Sequence, residues 1–209
     1  LLLDRDGTIP EGIKLRKKVI PKYSMNSFEA DSLLLEEIVQ CERGALFIST
    51  YYSYPENSPC MIMLHDMTPE IMAFDQSHPE WRAKGKAIVK SFAYFSVSEA
   101  TMGDFRRLYP EFGSRPVYIV PNAVSDLFRP RSAEEITHFK RVYGIRKPYF
   151  LLCGHRPGYK NVSLFFHAFS LLDDREGYEI LCTGGGRELE PQFREYLGKG
   201  RCQYRKTYF

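Results

Sequence analysis

No apolar run in these 209 residues approaches the roughly 18 needed to cross a membrane. The longest, such as 61–64 and 149–153, are strand-sized. Charge of one sign is also scarce: the net charge is +3, too mild to imply nucleic acid. The five cysteines, at 41, 60, 153, 182 and 202, are odd in number and form no C-x-x-C pair. That excludes a disulfide framework and a structural zinc site, and it points to the reducing cytoplasm. No Gly-Lys-Ser/Thr follows a glycine loop and no G-x-G-x-x-G is present, so the P-loop and the dinucleotide fingerprint are both excluded. The opening Leu1-Leu2-Leu3-Asp4 shows no charged leader or cleavage site and reads as the interior of a longer protein.

What is present is an ordinary globular composition, 44% hydrophobic and 26% charged. The length suits one large domain or two small ones. Periodicity predicts helices over 28–42 and 79–90, with strands at 45–50, 61–64, 94–97 and 117–120. Ser98 suits the N-cap of a further helix that carries Met102, Phe105 and Leu108 on one face. Short apolar strands alternating with helices predict an α/β protein whose parallel sheets are covered on both faces. The basic group Lys14, Arg16, Lys17 and Lys18 reads as a solvated surface segment rather than a patch for anionic lipid.

The pattern breaks near 125–147. Ser132-Ala133-Glu134-Glu135 is a capping box, and Gly144 suits the end of the helix it opens. The α/β alternation then restarts with a strand at 149–153, a helix at 161–172, a strand at 178–182 and a last helix at 191–198. This predicts a first domain over 1–128, a linker and helix over 129–147, and a second, incomplete domain over 148–209. Cys153 and Cys182 close apolar strands and read as small buried fillers.

Four constellations are candidates for chemistry. Leu3-Asp4-Arg5-Asp6-Gly7-Thr8 follows a strand and resembles the haloacid dehalogenase-type phosphatases, with Asp4 as nucleophile, Asp6 as general acid and Mg²⁺ beside them. The plain alternative is a turn. Cys153-Gly154-His155-Arg156-Pro157-Gly158-Tyr159-Lys160-Asn161 sets a guanidinium and an ammonium beside a helix start that Asn161 can cap. That arrangement suits a diphosphate at the carboxyl end of a parallel strand; the plain alternative is a solvated loop. Thr183-Gly184-Gly185-Gly186 follows the next strand, where glycine lets backbone approach a phosphate or ribose; a flexible turn explains it equally. Leu64-His65-Asp66 ends a strand on an imidazole and a carboxylate, where His65 either orients a hydroxyl or is satisfied in the core.

These segments occur in an order with Ile48-Ser49-Thr50-Tyr51-Tyr52, Phe95-Ser96-Val97-Ser98-Glu99 and Val120-Pro121-Asn122-Ala123-Val124. Together they closely resemble bacterial family-four ("group 1") glycosyltransferases of the GT-B fold. The resemblance spans nearly the whole chain, although Ala123 stands where that family usually has Gly. It implies two Rossmann-like domains facing each other, with the acceptor on the first and the donor on the second. It also implies sugar transfer with retention from a nucleotide-diphosphate sugar to a glycan or lipid-linked acceptor, in glycan or polysaccharide synthesis. Peripheral membrane contact is compatible with such an acceptor. Arg156, Lys160, Asn161, Gly184, Gly185 and Gly186 would bind the donor, and His65 and Asp66 would lie at the reacting end. No metal or other cofactor is required, since two cations already neutralise the diphosphate. The family's N-terminal glycine-rich loop and its pair of glutamates eight residues apart are expected outside this stretch. The alternatives are the Mg²⁺-dependent phosphatase and a nucleotide-binding fragment without turnover.

Overall fold

A computed structural model of the chain describes residues 1–5, 14–156, 158–184 and 188–197, and the backbone of 202–204. Two compact units divide between Val124 and Ser125.

The first unit holds two parallel sheets. In one, β1 (Leu2–Asp4) pairs with β2 (Lys17–Val19). The other has the order β3-β4-β5-β6, from β3 (Phe47–Ser49), β4 (Cys60–Leu64), β5 (Ala93–Ser96) and β6 (Val117–Ile119). Parallel neighbours need crossover connections. Helix α1 (Phe28–Cys41) precedes β3, and α2 (Thr68–Ile71) and α3 (Pro79–Lys90) run between β4 and β5. Helix α4 (Glu99–Leu108) lies between β5 and β6. Pro79 takes the first turn of α3, where its missing N–H leaves no intrahelical bond unmade. Ala83, Ala87 and Ile88 then pack against Ile62, Leu64, Tyr94 and Phe105 in the core. Ser98 caps α4 as expected, accepting from the Thr101 N–H at 3.1 Å. Phe105 is fully buried.

The basic segment behaves only partly as expected. Its side chains are exposed, yet Lys17–Val19 forms a strand. Lys17 pairs with Asp4, and Arg16 with Glu42, so acidic neighbours offset the cations. Ile20 just beyond β2 is buried with Leu35 and Ile38 of α1, and Arg5 bonds Asp31 at 2.8 Å.

Glu36 fastens α1 to the turn before β4. Its carboxylate accepts from the N–H groups of Asn57 (2.9 Å) and Ser58 (2.8 Å), the Ser58 hydroxyl (2.8 Å) and Gln40 (2.8 Å). Desolvation works to raise its pKa, but these donors outweigh it and hold the group at about 2, below the ordinary 4.5. A carboxyl depressed by folding adds stability above its unfolded pKa. That stability is lost as pH falls from about 4.5 toward about 2. Thermal melts near neutral pH and near pH ~3 should show wild type losing more stability than Glu36→Gln between the two conditions. Equal losses would mean that the clamp does not survive in solution.

The second unit opens on α5 (Ala133–Val142). Both halves of its capping box form: Glu135 N donates to the Ser132 hydroxyl and Ser132 N to the Glu135 carboxylate. Gly144 follows with φ +61, the left-handed turn that ends the helix. Strands β7 (Tyr149–Cys153), β8 (Glu179–Thr183) and β9 (Cys202–Tyr204) pair in parallel in that order. Helix α6 (Val162–Ser170) connects β7 to β8, and α7 (Pro191–Arg194) precedes β9. The expected last helix is shorter than the 191–198 span, because the chain tightens to a 3₁₀ turn over Glu195–Leu197. Phe166 and Phe193 stack at 4.7 Å in a core with Phe169, Ile180 and Cys182.

One expectation is corrected here. Cys182 is a buried filler, but Cys153 is exposed, because it ends a strand at the sheet's edge. The inner strands are covered on both faces, as expected: Met61 and Ile62 of β4 and Ile180 and Leu181 of β8 are buried in succession, so both sides of each strand are packed. Exposure falls on the outer strands, where Leu151 of β7 is 52% exposed and Tyr118 of β6 54%.

Candidate functional site

Each unit carries its own constellation at the carboxyl ends of parallel strands, where open α/β sheets bind ligands. In the second unit, β7 and β8 both end on glycine with positive φ, +92 at Gly154 and +76 at Gly184. Gly154 N donates to Thr183 O at 2.8 Å, so the two strand ends stay paired as they turn. A Cβ on Gly184 would sit 3.0 Å from the Gly154 backbone, a tight contact on top of a backbone conformation that favours glycine. Gly185 and Gly186 lie outside the described residues.

Arg156 joins the two loops. Its Nε donates to Glu190 at 3.1 and 3.2 Å, and a terminal nitrogen donates to Gly184 O at 3.1 Å. The side chain is only 2% exposed, so the guanidinium is buried rather than presented to solvent. Desolvation works to raise the Glu190 pKa. Hydrogen bonds from its own N–H and from Arg156 prevail and hold it below the usual range. Glu190 escaped sequence reading. The available signal was an acid immediately before Pro191, at the cap position of α7.

Lys160 differs from Arg156. It is exposed, on a 3₁₀ turn over Gly158–Lys160, with its ammonium 5.0 Å from the Tyr159 ring centre. Asn161 occupies the N-cap position of α6, as expected, but in left-handed backbone (φ +49) and with no capping side-chain bond. Its Oδ1 instead accepts from the Ser163 hydroxyl at 3.1 Å. The start of α6 therefore keeps N–H groups that its cap residue does not cover.

In the first unit His65 and Asp66 follow β4. His65 Nε2 lies 2.7 Å from Thr50 O. A carbonyl only accepts, so Nε2 carries the proton and Nδ1 is the nitrogen left to meet a ligand. The ring is partly exposed and 5.8 Å from Tyr51, so it is not a core histidine. Asp66 is exposed, and its carboxylate accepts from the Thr68 N–H at 2.8 Å, which opens α2. A cavity of ≈ 640 Å³ near this strand end takes in Arg5, Tyr23, Ser49, Thr50, Tyr51 and Ser53. Burial, then the nearby Asp31, pushes the Tyr23 phenol up to about 12. Asp4 of the phosphatase alternative is ion-paired to Lys17, and Asp6 lies outside the described residues.

No protein-family model matches the sequence, and no curated protein does. Among solved structures the chain is similar to Anabaena HepE, solved in complex with UDP and glucose. The TM-score is 0.61 with 14% identity, over 92% of this chain and 56% of that one. The S. aureus MnaA structure with UDP aligns at a TM-score of 0.49 and 15% identity, over 89% of this chain and 53% of that one. The chain thus spans about half the length of the structures it matches. The likeness to HepE is one of fold. It agrees with the α/β class of the GT-B type, built on parallel sheets.

Proposed function

We propose that the chain is part of a glycosyltransferase that moves a sugar, with retention, from a nucleotide-diphosphate donor to an acceptor hydroxyl in glycan or polysaccharide synthesis. The observation that carries this reading is the paired glycine loops at the ends of β7 and β8, which lead an exposed Lys160 into the start of α6. The fold likeness to a structure holding UDP and glucose supports it.

In this reading departure of the nucleoside diphosphate builds charge on phosphate oxygens. Lys160 and the N–H groups at the start of α6 stabilise that charge. Gly184, with Gly185 and Gly186 after it, lets the chain run close to the donor. Arg156 contributes as the brace between the two loops rather than as a phosphate ligand, because its guanidinium faces Glu190 and Gly184 O. His65 offers Nδ1 to a sugar or acceptor hydroxyl, and Asp66 sets the turn that carries it. The donor is a substrate and no resident cofactor is invoked. The acceptor is a glycan or a lipid-linked glycan, and the reaction belongs on the cytoplasmic side.

The test is calorimetric titration of the protein and its Lys160→Ala variant with UDP and with GDP. A charge-assisted hydrogen bond contributes roughly 1.5–3 kcal/mol, so both affinities should fall about tenfold or more, and in proportion. Unchanged affinity would make the loop a solvated turn and remove the main support for a diphosphate site.

A further inference from the structure

Beneath the loop that carries His65 lies a charged cluster that the donor chemistry does not use. The Lys84 side chain, on α3, is 0% exposed. Its ammonium donates to the main-chain oxygen of Asp66 at 2.8 Å and to Glu70 Oε2 at 2.7 Å. Glu70 Oε1 in turn accepts from the Tyr109 hydroxyl at 2.9 Å. Burial first, then the Glu70 carboxylate, pushes the Tyr109 phenol up, so it stays a donor. The carbonyl one residue earlier, that of His65, accepts from Thr101 Oγ1 at 3.3 Å. Two successive carbonyls are therefore held from below by two different helices, α3 and α4.

Stability alone does not account for this lysine. Taking an ammonium and a carboxylate out of water is expensive, and well-packed apolar replacements of such pairs are often equally stable. What the ammonium supplies, and an apolar side chain does not, is a fixed direction for the Asp66 carbonyl. With that carbonyl and its neighbour pinned inward, the His65 side chain is aimed outward toward Thr50 O, its 2.7 Å partner. We propose that Lys84, seated by Glu70 and Tyr109, is a positioning residue that fixes the main chain of His65 and Asp66 and thereby the orientation and tautomer of the His65 ring. The proposal rests on the reading above only in treating His65 as the group that meets substrate.

The test compares wild type with Lys84→Met and Tyr109→Phe, each checked for folding by circular dichroism. Two readouts are taken: the ring ¹⁵N signals of His65 by NMR, and sugar transfer split into kcat and donor KM. Lys84→Met should shift the His65 ring signals toward a mixture of tautomers. It should also lower kcat about tenfold to hundredfold while donor KM holds, because misplacement of a reacting group acts on turnover. Tyr109→Phe, which leaves the lysine in place, should give a smaller change in the same direction. If Lys84→Met fails to fold, the Tyr109→Phe shift in the His65 signals carries the test alone. Folded variants with unchanged His65 signals would overturn the proposal. A wild type inactive in sugar transfer, but whose His65 signals respond to Lys84→Met, would overturn the transferase reading and leave the positioning role standing.

Discussion

Glu190→Ala is expected to destabilise the second unit by roughly 2–4 kcal/mol, because it leaves the Arg156 guanidinium buried without its carboxylate. The value sits below that of a fully buried pair, since the Glu190 side chain retains 33% exposure. Removing the charge on both sides is less harmful than removing it on one. The double variant Arg156→Met with Glu190→Ala should therefore be more stable than Glu190→Ala alone. Urea unfolding followed by tryptophan-independent circular dichroism gives all the values, as the single Trp lies in the other unit, at position 81. Purely additive losses would show that the two side chains act separately and that the brace between the loops does not exist. UDP affinity should fall in Glu190→Ala as well, although Glu190 itself need touch no ligand.

Gly184→Ala is the second large effect. Its φ of +76 is a conformation that side-chain-bearing residues rarely adopt, and a Cβ would stand 3.0 Å from the Gly154 backbone, which cannot rotate away. Strain and overpacking together predict a loss of about 2–4 kcal/mol. Gly154→Ala is the internal control. Its φ is +92, but nothing lies within 4 Å of the added carbon. It should bear the conformational strain without the clash and lose less. If the two variants are equally stable, the close approach of the loops is not maintained in solution.

The helical and strand elements with strong apolar periodicity were legible in the sequence. Helix α3 begins and ends where Pro79 and the periodicity put it, and β7 spans the expected residues. Ser98 and the Ser132 box cap their helices because the local hydrogen bond needs only the right hydroxyl at the right spacing. What the sequence hid were features decided by distant partners. Strand β2 is a basic run with no alternation, stabilised by Asp4 and Glu42, which lie far from it along the chain. The short α2 lacks enough residues to show a period. At the candidate site, residue types were legible but their division of labour was not. Arg156 and Lys160 look alike on paper, four positions apart, yet one is 2% exposed and the other lies in solvent. That difference comes from Glu190, 34 residues further on. Nothing in the local sequence sets Lys84 apart from a solvated helix cation, yet it is fully buried, because Glu70 and the Asp66 carbonyl receive it.

The β1–β2 pair has an order of disassembly written into it. Two strands of three residues each have no independent stability in water, and no strand hydrogen bonds tie them to the four-stranded sheet. They hold their place mainly on α1, through Ile20 against Leu35 and Ile38 and through Arg5 on Asp31, with Phe47 of β3 packed against the same cluster. Opening of α1 is therefore expected to loosen the ribbon with it. It would take Phe28 from the larger core, but β4 and β5 would keep Ile62, Leu64 and Tyr94 packed with Ile88 of α3 and Phe105 of α4. The ribbon and α1 are expected to open as one unit, at lower cost than the pairing of β4 with β5.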